Sequence, residues 1–170
     1  MTTSAPPGLT RFNSVAERDA AGLLHEVCTA RAWAGAVASG RPYATVEELL
    51  AASDAAMAEL TAGDLAEAMA GHPPIGRPAP GDATSAREQS GVRDELRAEL
   101  LESNLEYQER HGHVFLICAT GRDGEEMLAA LRERIGNDAD TEREIVRTEL
   151  GKINRIRLIR LMEAPAEGER

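Results

Sequence analysis

One Pro/Gly-rich break, residues 71–84, limits what this chain can fold into. It holds four Pro and three Gly and begins Gly71-His72-Pro73-Pro74-Ile75-Gly76. On either side the sequence is mostly Ala, Leu, Glu and Arg in helical patterns. Loops of this length inside a helical domain are uncommon and are often functional. A residue before Pro is steered away from helical backbone geometry, so His72 should project from the end of one helix. Ser85-Ala86-Arg87-Glu88-Gln89-Ser90-Gly91 then restarts helix, with Glu88 near its beginning. The break can thereby set an acid/base group beside a carboxylate.

Capping signals divide the remainder. Asn13 or Ser14 can cap a first helix, and Ser14 with Glu17 has capping-box spacing. A helical piece carrying Trp33, Ala34 and Val37 ends at Ser39-Gly40, and Arg41-Pro42-Tyr43 is a connector. Thr45 with Glu48 is a second capping box, and Thr61 with Asp64 suggests another cap. Past the break, helix runs to about residue 110 and Gly112 ends it. Further helices are expected over 124–135 and 141–163. The run Phe115-Leu116-Ile117-Cys118-Ala119 is apolar and isolated, which suits buried extended chain or a helix start. Period-2 strands are absent elsewhere. The sequence therefore predicts an all-α fold, a single compact multi-helix domain of seven to nine helices over residues 11–163. Its Pro/Gly-rich loop would be the active-site loop. Residues 1–10 and 164–170 read as disordered tails.

Charge and composition narrow the function. The net charge of -10 argues against nucleic acid as the partner, although a small anion could still be held by one buried Arg. Cys28 and Cys118 are too few for a disulfide framework and sit among apolar residues as core thiols. No apolar run is long enough to cross a membrane. The N-terminal sequence lacks the features of a signal peptide, so the cytoplasm is the expected compartment.

Three residues stand out for chemistry. His72 carries an imidazole, whose ordinary pKa of about 6.5 suits proton transfer at neutral pH. Glu88 fits a capping box with Ser85, a structural role, yet the same helix start exposes amides that favour an anion. Gln89 adds a neutral donor and acceptor. In the last helix Val146, Leu150, Ile153 and Leu161 form an apolar stripe, and Arg157 falls in its gap. An Arg on a core-facing stripe needs an anionic partner. That partner is either an internal carboxylate or a substrate carboxylate held bidentately. His111-Gly112-His113 lacks a third metal ligand at a recognised spacing, so no metal site is expected. Gly121-Arg122-Asp123-Gly124 lacks phosphate-loop spacing and reads as a turn.

In order and spacing these segments resemble one family, the 2-oxo-4-hydroxy-4-carboxy-5-ureidoimidazoline (OHCU) decarboxylases of urate breakdown. The resemblance covers about residues 12–162. It rests on FNSV, the Trp33 segment running into GRPY, GHPPIG, SAREQSG, NLEYQERHG, VFLICATGR and ELGKINRIRL. It implies an all-α, cofactor-free and commonly homodimeric enzyme that converts the anionic ureidoimidazoline to (S)-allantoin. By motif, the family's catalytic His falls on His72, with Pro73 shaping the loop. Its helix-start residues fall on Ser85, Glu88 and Gln89. Its backbone contacts fall on Phe115 and Ile117, and its substrate Arg on Arg157. His111 and His113 stand where the family usually has aromatic residues.

The chemistry is reasonable without a cofactor. Loss of CO2 leaves electrons on carbon, and a conjugated imidazoline ring can accept them. Protein groups need only orient the carboxylate, stabilise negative charge and deliver a proton to one face. The alternative is a helical binding or regulatory module that has kept the fold but not the activity. A metal-dependent hydrolase fares worst, for want of ligands.

Overall fold

A computed structural model describes residues 4–73 and 94–165. Ser85, Glu88, Gln89 and most of the Pro/Gly-rich break lie outside the described residues. The described chain forms eight helices: α1 (Pro7–Ser14), α2 (Glu17–Val27), α3 (Arg31–Ser39), α4 (Val46–Ala58), α5 (Ala62–Ala70), α6 (Asp94–His111), α7 (Gly124–Ile135) and α8 (Ala139–Glu163). No strand occurs among these residues. The chain divides into two units, Met1–Leu65 with Gly151–Arg170, and Ala66–Leu150. The boundaries fall inside α5 and α8.

In the first unit, α2, α3 and α4 pack in succession. Trp33, wholly buried, donates its indole N–H to the buried Ser53 Oγ at 3.1 Å. A large apolar ring thus enters the core with its one polar atom satisfied. The connector after α3 is tied down from both sides. Asn13 Nδ2 donates to the Tyr43 carbonyl at 2.8 Å, and Tyr43 N–H donates to Asn13 Oδ1 at 2.9 Å. Arg41 Nη1 donates to the carbonyls of Phe12 and Val15 at 2.7 and 2.8 Å. The C-terminal part of α8 buries Ile153, Asn154, Leu158 and Met162.

Two expectations at the N-terminus are corrected. Residues 7–10 are not tail: α1 begins at Pro7, and Leu9 and Phe12 are fully buried. Pro early in a helix forfeits no intrahelical bond, and burial of two large side chains holds the segment. The first cap also differs. Asn13 is engaged with Tyr43, Ser14 Oγ donates to the Arg11 carbonyl at 3.0 Å, and α2 starts at Glu17 after Ala16 with no side-chain cap. The Thr45 cap forms as expected, accepting from Glu48 N–H at 3.2 Å, while Glu48 Oε2 accepts from Ala44 N–H at 2.9 Å.

In the second unit, α6 and α7 pack together around Leu100, Tyr107, Met127 and Leu131. Gly112 ends α6 in a left-handed conformation, φ 78°, that suits glycine. Asp123 and Glu126 form a reciprocal capping box at the start of α7, with bonds of 2.8 and 3.0 Å. Residues 115–119 are neither helix nor strand, yet all five are buried. The apolar run is thus buried chain outside any helix, and not a helix start.

Candidate active site

His72 lies two residues beyond the end of α5. Its N–H donates to the Met69 carbonyl at 3.0 Å, and Gly71 N–H donates to the Ala68 carbonyl at 3.2 Å. These three-residue bonds tighten the helix end and satisfy carbonyls that α5 cannot use itself. His72 and Pro73 are both half-buried. The imidazole is therefore carried at a helix end and is only half-buried.

Phe115 and Ile117 are buried at 1% and 3% exposure. The Phe115 ring meets the Tyr107 ring edge-on at 5.3 Å. Such side chains serve packing, so what this segment offers a ligand is main chain. Among the described residues, the N–H groups of Phe115 and Ile117 have no hydrogen-bond partner. Buried backbone donors are nearly always paired, so the segment carries unused donor capacity.

A charged network holds the same segment from behind. Arg134 Nε donates to both Glu142 oxygens at 2.9 and 3.2 Å, and Nη2 donates to Oε2 at 2.9 Å. Its Nη1 donates to the Leu116 carbonyl at 2.8 Å, and its guanidinium lies 4.5 Å from the Phe115 ring centroid. Tyr107 OH donates to Glu142 Oε2 at 2.5 Å, and Asn137 Nδ2 donates to Oε1 at 3.1 Å. Burial pushes the Glu142 carboxyl up, but the bonds from Arg134 and Tyr107 and the Arg134 charge outweigh it, and its pKa falls below the usual range. Burial first, and then Glu142, push the Tyr107 phenol well above its usual pKa.

Sequence reasoning missed Arg134, Glu142 and Tyr107. A signal existed. Arg134 sits three residues after Leu131 on the buried side of α7, and Glu142 sits four before Val146 on that of α8. The same kind of signal had selected Arg157, whose placement the structure amends. The buried line of α8 runs through Leu150, Asn154, Leu158 and Met162, with Leu161 half-buried. Arg157 flanks that line and is half-buried, donating Nη1 to the Val27 carbonyl at 3.0 Å. The expectation of a core-centred Arg was tied to a stripe that shifts by one residue beyond Ile153. Four of the candidate residues, His72, Pro73, Phe115 and Ile117, belong to the second unit, and Arg157 to the first.

His111 and His113 pack on Tyr107, with ring centroids 4.5 and 5.5 Å away. They extend the aromatic cluster around Tyr107. His111 Nε2 lies 3.1 Å from the Arg134 carbonyl, so this ring also touches the network's backbone.

The family model for OHCU decarboxylase matches residues 13–159. The chain belongs to the OHCU decarboxylase family. Members of this family are cofactor-independent decarboxylases. The chain is 33% identical over 143 residues to the 2-oxo-4-hydroxy-4-carboxy-5-ureidoimidazoline decarboxylase of Amia calva, covering 78% of this chain and 81% of that one. It is also 33% identical over 150 residues to the uric acid degradation bifunctional protein TTL of Arabidopsis thaliana, covering 82% of this chain. There the chain spans about half of the relative, 46% of its length. A crystal structure of OHCU decarboxylase in the presence of (S)-allantoin superposes with a TM-score of 0.73 at 28% identity. That match covers 88% of this chain and all of the other. The all-α expectation thus holds at the level of both helices and family. No helix among the described residues is long and apolar enough to cross a membrane.

Proposed function

We propose that this chain decarboxylates OHCU to (S)-allantoin in urate degradation, with His72 as the proton-transfer group. The observation that carries the residue-level reading is the buried segment 115–119. Its main chain has unpaired donors among the described residues, although its side chains are committed to packing. Uncommitted amides suit an anionic substrate whose charge grows as CO2 leaves.

The roles follow from chemistry and motif. Arg157 clamps an anionic edge of the substrate, and the amides of Phe115 and Ile117 hydrogen-bond it. Glu88 holds His72 or the ureido group. Gln89 and Ser85 hydrogen-bond the substrate, and Pro73 sets the loop that carries His72. His72 then delivers a proton to one face of the carbanion, which fixes the product's hand. The resemblance further implies a homodimer, which sedimentation velocity tests, and the proposed compartment is the cytoplasm.

The deciding experiment generates OHCU from urate in situ and follows the optical activity of the allantoin. Catalysis gives (S)-allantoin faster than the spontaneous reaction. A binding module that had kept the fold but lost the chemistry would leave racemic product at the spontaneous rate, and that outcome would sink this reading.

A further inference from the structure

We infer that Arg134 is a positioning residue for the reaction, acting through the peptide group between Leu116 and Ile117. The inference rests on the decarboxylase reading for the identity of the ligand, and on geometry for the rest. Arg134 Nη1 donates to the Leu116 carbonyl at 2.8 Å. That carbonyl shares one rigid peptide plane with the Ile117 N–H. In a trans peptide the two groups point in opposite directions, and the cis bond of the described chain is elsewhere, at Arg41-Pro42. Fixing the carbonyl on Arg134 therefore fixes the Ile117 N–H on a line pointing away from Arg134. That N–H has no partner among the described residues.

Two effects act on the Ile117 donor. The first is orientation. Arg134 cannot turn, because Glu142 holds its Nε and Nη2, and Phe115 lies against its guanidinium face. Tyr107 and Asn137 hold Glu142 in turn. The second effect is polarisation. A cation bonded to a carbonyl draws electron density through the amide, and hydrogen bonds in series strengthen one another. The Ile117 N–H thereby becomes a better donor toward negative charge on a ligand. The carboxylate of Glu142 faces the other side of Arg134, so the charge pair is buried while its consequence is delivered across the peptide.

The test pairs a double variant with a single one. R134M/E142M replaces both charges with apolar side chains, a change that buried pairs often tolerate. R134K keeps a cation for Glu142 but loses the planar fork that reaches Glu142 and Leu116 together, and it serves if the double variant does not fold. Without substrate, the Ile117 amide nitrogen should move upfield in either variant, because its peptide is no longer polarised. With OHCU generated in situ, kcat/KM should fall on the order of tenfold, the worth of one weakened hydrogen bond to an anion. An Ile117 amide unchanged in a folded variant overturns the assignment, whatever the activity. So does a kcat/KM equal to wild type once the amide has moved. Racemic product from the wild-type protein would instead overturn the decarboxylase reading and leave the amide result standing, so the two failures are distinct.

Discussion

Arg157 donates Nη1 to the main-chain carbonyl of Val27 at 3.0 Å. Val27 is the last residue of α2, whose final carbonyls have no partner in their own helix. A cation there also opposes the negative end of the helix dipole. Arg157 therefore has a structural duty alongside its proposed role with substrate. Arg157→Met should lower stability by about 1 kcal/mol, or about 2–4 °C in Tm for a chain of this size. It should lower kcat/KM by about 10²-fold or more, since a bidentate clamp makes two charge-assisted bonds. Thermal melts and initial rates decide. A Tm loss with normal kcat/KM would confine Arg157 to a structural role.

His72→Ala should cut kcat by about 10²–10⁴-fold, the usual contribution of a positioned acid or base. Its stability effect should be small. The His72 bond to Met69 is made by the backbone and survives the change, and the side chain is only half-buried. A variant within a few-fold of wild-type kcat would remove His72 from the chemistry.

These two residues illustrate what a one-dimensional pattern carries. His72 was legible because Pro on its C-terminal side dictates the backbone at its own position. The start of α7 was legible because the turn Gly121-Arg122-Asp123-Gly124 acts over only a few residues, and the structure completes it with the Asp123–Glu126 capping box. Arg157 was half legible. A stripe counted at ideal spacing runs through Leu161, but the helix buries Leu158 and Met162 instead, which moves Arg157 to the edge of the line. Arg134 and Glu142 were overlooked because each alone is a common helix-end charge. Arg134 lies in the last turn of α7 and Glu142 in the first turn of α8, where their signs suit the dipoles. Only the turn between the two helices brings them into contact. Residues 7–10 were misread for a related reason. Pro7 and Gly8 have low helix propensity, and the burial of Leu9 and Phe12 is a tertiary effect that outweighs it.

The Glu142 network should make stability depend on pH at both extremes. The folded-state carboxyl of Glu142 sits below its usual pKa. Its contribution is therefore complete above the unfolded value, about 4.3 for Glu, and is lost as pH falls through the lower folded value. Tyr107 has the opposite shift. Its contribution is complete below the ordinary phenol pKa of about 10 and declines as pH rises beyond it. Glu142→Gln should cost about 3–5 kcal/mol at neutral pH by leaving the buried Arg134 charge unpaired, and should flatten the acid side of the Tm–pH curve. Tyr107→Phe should flatten the alkaline side. Parallel curves for wild type and Glu142→Gln below about pH 5 would show that other carboxylates govern acid unfolding.

Two glycines offer a test of opposite signs. Gly22 lies inside α2, is exposed, and has open space where a Cβ would go. Gly22→Ala should raise stability by about 0.5–1 kcal/mol, because Ala restricts the unfolded chain and suits a helix. Gly8 lies in the first turn of α1, where a Cβ would run into the main-chain carbonyls of Leu161 and Met162. Helix propensity favours Ala there too, by less than about 1 kcal/mol. A collision with backbone cannot be relieved by a rotamer change, and overpacking costs about 1–3 kcal/mol, so the collision should win. Gly8→Ala should therefore lower Tm, as α1 is pushed off the end of α8. The same substitution would be neutral or stabilising if residues 7–10 were a loose tail. A rise in Tm for Gly8→Ala matching that of Gly22→Ala would thus refute the packing of α1 against Leu161 and Met162.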